Sequence, residues 1–293
     1  MRTVSRTEFL KTAAAGLAGI MLDPDGRALA TPLGLPIGIQ TYSVRNDLKE
    51  DFAGTLRKVG AMGYRQMEVN GDYYGRPPAE LRKMLEDAGL RAPSAHYSSP
   101  KDSDEWARNM EGAHALGLEY MLTTSHSEWT KSLDGWKRTA EFFNGLAKQC
   151  RDAGFQFAYH NHNFEFRVYD GVVAYDELLR SADKNLVKME MDLCWITAAG
   201  GDPLKYFSLY PGRFPLVHVK DLKTLPHITA GGAQNYGDTV DLTEVGSGLI
   251  DWKKIFAHSD EAGIKHYIVE HDHPKQPLDS IAKSYDYLSK LRW

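Results

Sequence analysis

The sequence predicts a closed barrel of eight parallel strands and eight helices, a (β/α)8 or TIM barrel, and three observations support that prediction. From residue 36 onward, short apolar runs alternate eight times with longer segments of helical periodicity. Five of the helical segments end in a glycine just before the next run, as a helix C-cap requires. No glycine-rich phosphate loop follows the first run, so an open dinucleotide-binding sheet is disfavoured.

The strand and helix candidates follow one another along the chain without a break in the alternation. The predicted strands are residues 37–42, 64–69, 91–97, 119–124, 155–161, 187–192, 214–220 and 266–270. The predicted helices are residues 52–62, 79–88, 102–116, 133–153, 175–181, 203–210, 252–262 and 278–291. Residues 31–293 are therefore expected to form one domain. Within it, the glycine-containing stretch 222–248 is predicted to be a loop insertion over the mouth of the barrel.

The first 30 residues have the pattern of an export signal. Arg2 and Arg6 precede a small-residue apolar run over residues 12–22, and residues 28–30 offer an Ala-Leu-Ala cleavage pattern. That run is too short to span a bilayer. The segment also resembles a degenerate twin-arginine motif with Thr7 in place of the second arginine, which leaves the export route open. We expect residues 1–30 to be a cleaved signal peptide and the product to be periplasmic. The alternative is an amphipathic N-terminal helix on a cytoplasmic protein.

Composition and charge indicate a globular protein that binds a small polar ligand. The chain is 42% hydrophobic and 25% charged, and its formal net charge is −4. It has no long run of Lys or Arg, so we expect no nucleic-acid partner, because phosphate recognition needs clustered positive charge. We also expect no membrane association after cleavage. The two cysteines, Cys150 and Cys194, are too few for a disulfide framework and are predicted to be buried thiols.

Four side chains at the ends of the last four predicted strands carry the predicted chemistry. They are Glu165, Asp192, His218 and Glu270. Strand ends converge on one face of such a barrel, so these groups are expected to meet. Three carboxylates in a partly desolvated site repel one another unless some are protonated or a cation lies between them. We therefore predict one divalent metal ion. Oxygen-rich ligation with one imidazole favours Mn²⁺, Mg²⁺ or Co²⁺ and leaves Zn²⁺ or Fe²⁺ open.

Side-chain alternation along the strands extends this site. Residues two apart on a strand face the same way, so Lys220 is predicted to point into the barrel with His218, and Glu190 with Asp192. Lys220 would hold a substrate oxygen or a developing oxyanion. Glu190 would lie one layer deeper, where a structural acid paired with Lys188 or Lys220 is favoured over a catalytic role.

Several polar and aromatic residues near the strand ends are predicted to bind the substrate. They are Gln40, Tyr42, Glu68, His96, His126, His162 and Trp195. His162 is preferred over His160, as a substrate contact or as a donor that orients a metal-bound carboxylate. A hydrogen-bonded surface role is the alternative for His96 and His126, and Trp195 could equally serve packing.

Six stretches, in their order along the chain, resemble a known family. They are GIQTYSVR at 38–45, YHNHNFEF at 159–166, Asp192 followed by GGDP at 200–203, HVKD at 218–221, GSGLIDW at 246–252 and VE at 269–270. Together they are similar to the xylose-isomerase-like TIM-barrel superfamily of sugar phosphate isomerases and epimerases. The resemblance covers roughly residues 36–291. It is more specific for the superfamily than for any one substrate.

The resemblance implies a small carbohydrate substrate and a metal ion held by Glu165, Asp192, His218 and Glu270. In ketose 3-epimerases of this group the two metal-bound glutamates also move the proton. Carried over, Glu165 and Glu270 act as acid and base on opposite faces of a ketose. The group also contains inosose dehydratases, which often have a His three residues after the metal-binding Asp. This chain has Trp195 at that position.

The leading hypothesis is a metal-dependent sugar isomerase or epimerase that removes a proton next to a carbonyl and forms an enediolate. The second is a lyase, which would dehydrate a keto-polyol or eliminate from a 3-keto-glycoside. The third is an exported sugar-binding barrel without turnover. An apurinic endonuclease on the same fold is disfavoured by the acidic net charge. The oligomeric state is left open, with a homo-oligomer among the options.

Overall fold

The structure, a computed structural model, describes residue 31 and residues 33–101, 103–123, 129–227 and 240–292. Eight parallel strands within these residues close into a barrel, in which the last strand pairs with the first. In chain order they are β1 Ile37–Gln40, β2 Gln66–Asn70, β3 Ser94–Tyr97, β4 Tyr120–Thr123, β5 Gln156–His160, β6 Val187–Asp192, β7 Leu216–Val219 and β8 His266–Val269. The predicted TIM barrel is confirmed.

The predicted strands are all present, and most are shorter than expected. The first strand ends at Gln40, because residues Thr41–Val44 turn into a 3-10 helix in which the Tyr42 N–H donates to the Gln40 side chain. The prediction that placed Tyr42 in this strand was therefore wrong. Tyr42 instead lies on the first turn after the strand, at the mouth of the barrel.

Helices connect the strands and surround the barrel. They are Arg45–Glu50, Phe52–Met62, Pro78–Asp87, Ser103–Leu116, Leu133–Asp152, Ala174–Ser181, Leu193–Ala198, Pro203–Leu209, Trp252–Phe256, Ser259–Ala262 and Pro277–Lys290. Helix 252–262 was predicted as one piece but is interrupted between Phe256 and Ser259. Arg45–Glu50 and Leu193–Ala198 were not predicted. Both are six-residue helices, too short to show a clear period. Among the described residues, no helix has both the length and the apolar character needed to cross a bilayer.

The main hydrophobic core lies between the barrel and its helices. Outward-facing strand residues such as Phe157, Met191, Val217 and Tyr267 are fully buried against this layer. Inside the barrel, a smaller apolar cluster fills the lower part, formed by Tyr120, Leu122, Ala158, Leu216 and Ile268. The inward positions nearer the C-terminal strand ends are polar instead. The predicted buried thiols Cys150 and Cys194 are confirmed as buried and unbonded to each other.

The long connection after β7 is closed at its base by one carboxylate. Asp221 is fully buried, and its oxygens accept hydrogen bonds from the backbone N–H groups of Gly246, Gly248 and Ile250 and from the Trp252 indole, at 3.0 to 3.3 Å. A Cβ at Gly248 would lie 2.2 Å from Asp221 Oδ1, so only glycine allows this approach. Residues Asp221–Leu222 also pair with Leu242–Thr243. Of the loop predicted over residues 222–248, residues 228–239 lie outside the described residues, as does the predicted signal peptide.

Candidate active site

A cleft of about 710 Å³ opens at the C-terminal ends of the barrel strands. This is the face on which TIM barrels place their active sites. Six of the residues predicted to take part in the site line it: Gln40, Tyr42, His96, His162, Lys220 and Glu270. His160 also lines it, although the sequence analysis ranked this residue below His162.

An outer group of charged side chains, consisting of Asp192, His218, Lys220 and Glu270, lies at the ends of β6, β7 and β8. His218 Nδ1 is 3.0 Å from Glu270 Oε2 and 3.9 Å from Asp192 Oδ2. Candidate ligand atoms of Asp192, His218 and Glu270 all lie within 4.8 Å of one another. The structure thus brings together three of the four predicted metal ligands.

Lys220 points into the barrel with His218, as side-chain alternation predicted. Its Nζ lies 2.7 Å from Glu270 Oε2, 2.8 Å from Asp272 Oδ1 and 3.2 Å from Asp192 Oδ2. Burial alone would lower the pKa of Lys220, but Asp192, Asp272 and Glu270 hold it well above its usual value. Burial would likewise raise the pKa of Glu270, yet the charges of Lys220 and His218 keep it below its usual value. Glu270 is therefore an ionised carboxylate.

An inner group, consisting of Glu68, His96, His160 and Glu190, lies one layer deeper in the barrel. Glu190 Oε2 is 2.8 Å from His96 Nε2, 3.0 Å from His160 Nδ1 and 3.2 Å from His218 Nε2. The prediction that Glu190 pairs with Lys188 or Lys220 was wrong. Lys188 instead donates to the backbone carbonyls of residues 184 and 212. Imidazoles from β3, β5 and β7 surround this oxygen, but burial and the nearby charge of Glu68 raise the pKa of Glu190 to about 7.

Glu68 is the second carboxylate of the inner group and is fully buried below the cleft. It accepts hydrogen bonds from Gln40 at 2.8 Å, from Ser94 at 2.6 Å and from His218 Nε2 at 2.7 Å. Burial would raise its pKa, but His96 and His218 hold the pKa well below its usual value. Glu68 was predicted as a substrate contact. The structure places it beneath Gln40, where it fixes the orientation of the His218 ring.

The two carboxylates also shift the protonation of His96. Burial would lower the pKa of His96, but Glu68 and Glu190 raise it to about 10. In contrast, burial lowers the pKa of His162 to about 3, with Lys220 contributing, so that His162 is a neutral imidazole in the cleft wall. Burial also lowers the pKa of His160, so the cleft offers one cationic imidazole, His96, and two neutral ones, His160 and His162.

Glu165, the fourth predicted ligand, lies just past β5 in a 3-10 turn and is fully buried. Its oxygens accept hydrogen bonds from the Tyr159 hydroxyl at 2.7 Å and from the His162 backbone N–H at 3.0 Å. Burial raises the pKa of Glu165 to about 7 in spite of these bonds. It is not one of the three residues whose ligand atoms cluster, and its place in a metal site remains a prediction.

The remaining predicted contacts differ in their position. Trp195 is buried on the short helix after Asp192 and does not line the cleft. Lys220 Nζ lies 4.9 Å from the centroid of its ring, so Trp195 packs against Lys220. His126 lies outside the described residues. Asp272 was missed by the sequence analysis. It stands two residues after Glu270, the same spacing that identified Lys220 from His218.

A divalent ion fits the outer group better than the inner one. Ligand atoms bound at usual metal distances lie about 3.0 to 3.6 Å apart, close to the spacing around His218 Nδ1. Asp192 Oδ2 is buried without a hydrogen bond, although the Lys220 ammonium is within ion-pair distance. Candidate ligand atoms of His96, His160, Glu190 and His218 also lie within 4.8 Å of one another, but there His96 and His160 are already hydrogen-bonded to the single oxygen Glu190 Oε2.

Comparisons with known proteins define the class of this molecule. The family model for the xylose isomerase-like TIM barrel matches residues 56–291. The chain therefore belongs to the xylose isomerase-like TIM barrel family, which confirms the resemblance found in the sequence.

Individual relatives within this family indicate the kind of enzyme more closely. The chain is similar to an inosose dehydratase of Lacticaseibacillus casei, with 26% identity over 81% of this chain and 88% of the relative. It is also similar to the solved structure of a sugar phosphate isomerase/epimerase from Parabacteroides distasonis, with 26% identity, a TM-score of 0.74, and coverage of 92% of this chain and 98% of the other. A second structure, the IOLI protein with a bound zinc atom, shares the fold at 14% identity and a TM-score of 0.65, over 86% of this chain and 96% of the other.

These findings support an enzyme with a sugar-like substrate. Among the hypotheses drawn from the sequence, they favour the lyase over the isomerase or epimerase, because the curated relatives are inosose dehydratases.

Proposed function

We propose that this protein is a metal-dependent lyase that removes water from a keto-polyol. The observation that carries the chemistry is the outer group, where the buried ammonium of Lys220 lies 2.7 Å from the cleft-lining carboxylate of Glu270. A base beside a fixed cation suits the removal of a proton next to a carbonyl. Similarity to inosose dehydratases supports elimination as the outcome of that step.

Two residues of the outer group have different roles in this reaction. Glu270 takes the proton from the carbon next to the substrate carbonyl, and Lys220 donates a hydrogen bond to the oxygen on which negative charge develops. The electron pair then forms a C=C bond as the hydroxyl on the next carbon leaves. The leaving oxygen needs one proton, and the Glu270 carboxyl returns the proton that it removed. One C–H and one C–O bond break, and one water molecule departs, so the step is balanced.

Asp192, His218 and Glu270 would hold the metal ion, with Glu165 as the further carboxylate of the predicted set. When bound, a divalent ion withdraws electron density from a carbonyl oxygen and makes the neighbouring C–H more acidic. We propose one ion, with Mn²⁺, Mg²⁺, Co²⁺ or Zn²⁺ as candidates. The inner group keeps His218 oriented, because Glu68 accepts a hydrogen bond from its Nε2, with Glu190 Oε2 at 3.2 Å, and leaves Nδ1 directed at the outer group.

The test is a reaction screen in deuterated water after elemental analysis of the purified protein. The substrates are cyclic keto-polyols and matched open-chain ketoses. We expect loss of water and a new enone absorbance with a keto-polyol, and no product with Glu270→Gln. A lyase function is refuted if deuterium enters every reactive substrate without any loss of water.

A sugar isomerase or epimerase is the second candidate, favoured by similarity to the sugar phosphate isomerase/epimerase of Parabacteroides distasonis. It uses the same first step, and it would give a deuterated epimer or isomer in the same screen. We further propose that residues 1–30 direct export and are removed. N-terminal sequencing of protein recovered from the periplasm tests this, and a product that begins at Met1 in the cytoplasm would contradict it.

A further inference from the structure

The cleft has a second wall that the proposed reaction does not use. It consists of Asn70 at the end of β2, Gly71 and Asp72 just after it, and Tyr97 and Ser98 at the end of β3. In the order of the barrel, β3 lies opposite β7, the strand that leads to Lys220. This wall therefore faces the part of a substrate that points away from the outer group.

The backbone of this wall is held in an unusual conformation. Tyr73 and Tyr74 have φ angles of 50° and 56°, in the left-handed region that non-glycine residues rarely adopt. The Tyr73 and Tyr97 hydroxyls are hydrogen-bonded, and a Cβ at Gly71 would lie 2.2 Å from Tyr97 Cδ1. Such strain persists where the surroundings over-determine it, and it clusters at ligand sites. Gly71 and Tyr73 together fix Tyr97 and the strand end beside it.

The wall presents polar groups that the protein itself does not use. Within the described part of the chain, the Asn70 carboxamide and the Ser98 hydroxyl form no hydrogen bond. Asp72 Oδ1 accepts only one hydrogen bond, from the Tyr74 N–H at 3.2 Å. Amide, hydroxyl and carboxylate groups directed at a cleft can bind the hydroxyls of a ligand as both donors and acceptors.

The charge of the cleft restricts which ligands can enter. Among its described lining residues, Lys220 is the only Lys or Arg, whereas Asp72, Glu270 and Asp272 carry negative charge. The Lys220 ammonium already has three carboxylates within 3.2 Å. Residues 124–128 and 228–239, which follow β4 and β7, contain no Lys or Arg in the sequence. Arg45 lies behind the rim, with its guanidinium bound to the backbone carbonyls of Tyr42 and Asp272.

We propose that the wall formed by Asn70, Asp72 and Ser98 binds the hydroxyl groups of a neutral polyhydroxylated substrate, and that the cleft rejects phosphorylated and carboxylated analogues. The inference rests on the proposed function for the reacting end of the substrate and adds the end that does not react. At this wall a phosphate or carboxylate would meet the Asp72 carboxylate, and none of the wall residues offers a guanidinium, ammonium or imidazolium to bind it.

The test is equilibrium binding by calorimetry on metal-loaded protein, because binding needs no turnover. The probes form matched sets: myo-inositol against myo-inositol 1-phosphate, and glucose against glucose 6-phosphate and glucuronate. We expect the neutral member of each set to bind at least about 10-fold more tightly, a difference of about 1.4 kcal/mol. Equal or tighter binding of the charged members would overturn the proposal.

Substitutions in the wall test whether its side chains cause the preference for neutral probes. Asn70→Ala should weaken binding of the neutral probes by about 3- to 10-fold, the range of one lost hydrogen bond. Asn185→Ala is the matched control, since Asn185 is exposed just before β6 at the opposite end of the barrel, and it should change nothing. Asp72→Lys should relax the rejection of the phosphorylated probes. Unchanged affinities in folded Asn70→Ala and Asp72→Lys proteins would refute the proposed wall. If neutral polyols bind as expected and none is dehydrated, only the proposed function fails.

Discussion

The outer and inner groups contain similar side chains but have opposite characters. In the inner group, Glu68 accepts hydrogen bonds from three side chains, and Glu190 Oε2 has three imidazole nitrogens within 3.2 Å, although Glu190 Oε1 is buried without a hydrogen bond. In the outer group, one buried ammonium lies within 3.2 Å of two predicted metal ligands, and Asp192 Oδ2 likewise has no hydrogen bond. Buried charged side chains can therefore serve either as a fixed hydrogen-bonded support or as a site whose partners can change. The inner group is a fixed support, whereas the outer group can accept a metal ion or a substrate.

The largest expected effect comes from removing the base of the outer group. Glu270→Gln should lower the rate of proton removal by about 10²- to 10⁴-fold, the usual contribution of a general base. Metal content measured by elemental analysis should also fall, while circular dichroism shows a folded barrel. Glu86→Gln is the control, because Glu86 is exposed on an outer helix and pairs only with Arg82. A rate near that of the parent would mean that Glu270 is not the base.

The inner group should matter most for stability. Glu190→Ala leaves buried imidazoles without their carboxylate and should lower the free energy of unfolding by about 3–5 kcal/mol, measured by urea denaturation. Glu111→Ala, at an exposed helix position, should stay within about 0.5 kcal/mol of the parent. A loss below about 1 kcal/mol for Glu190→Ala would contradict the idea of a fixed support.

Removal of the metal ion tests whether Lys220 stabilises the outer group when no ion is bound. A metal ion present at 100 times its Kd should stabilise the parent by about 2.7 kcal/mol relative to chelator-treated protein. In Lys220→Met, the ammonium that partly neutralises Asp192 and Glu270 in the metal-free protein is gone, so the difference between metal-loaded and chelated protein should grow. Unfolding curves with and without chelator measure both differences. Equal metal dependence in the two proteins would show that Lys220 does not stabilise the metal-free site.

The last expected effect is a pH dependence of the metal-free protein. The pKa of His96 is raised from 6.5 to about 10 in the folded state, so its contribution to stability is fully present below about pH 6.5 and is lost as the pH rises toward 10. Urea denaturation of chelated protein at several pH values should show this decline. His96→Gln should flatten it, and an unchanged slope in that variant would assign the effect to another group.

The fold and the outer group could be predicted from local features of the sequence. Each predicted apolar run ends within two residues of the end of its strand, and alternation placed Lys220 and Glu190 on the inward face. The partners of Glu190 could not be predicted in this way. They come from β3, β5 and β7 and meet across the interior, where the hydrogen bonds depend on the relative heights of strands that are distant in sequence. The 3-10 turn at Tyr42 was missed for a different reason, since its side chain–backbone capping leaves no periodic signal.

Asp221 has an evolutionary consequence. By tying both ends of the long connection together directly beside Lys220, it makes the barrel insensitive to what lies between them. The entropic cost of a longer loop rises only slowly with its length, so residues can be inserted there at little cost to folding. New substrate specificities can therefore arise by replacing that segment, while the outer and inner groups stay unchanged.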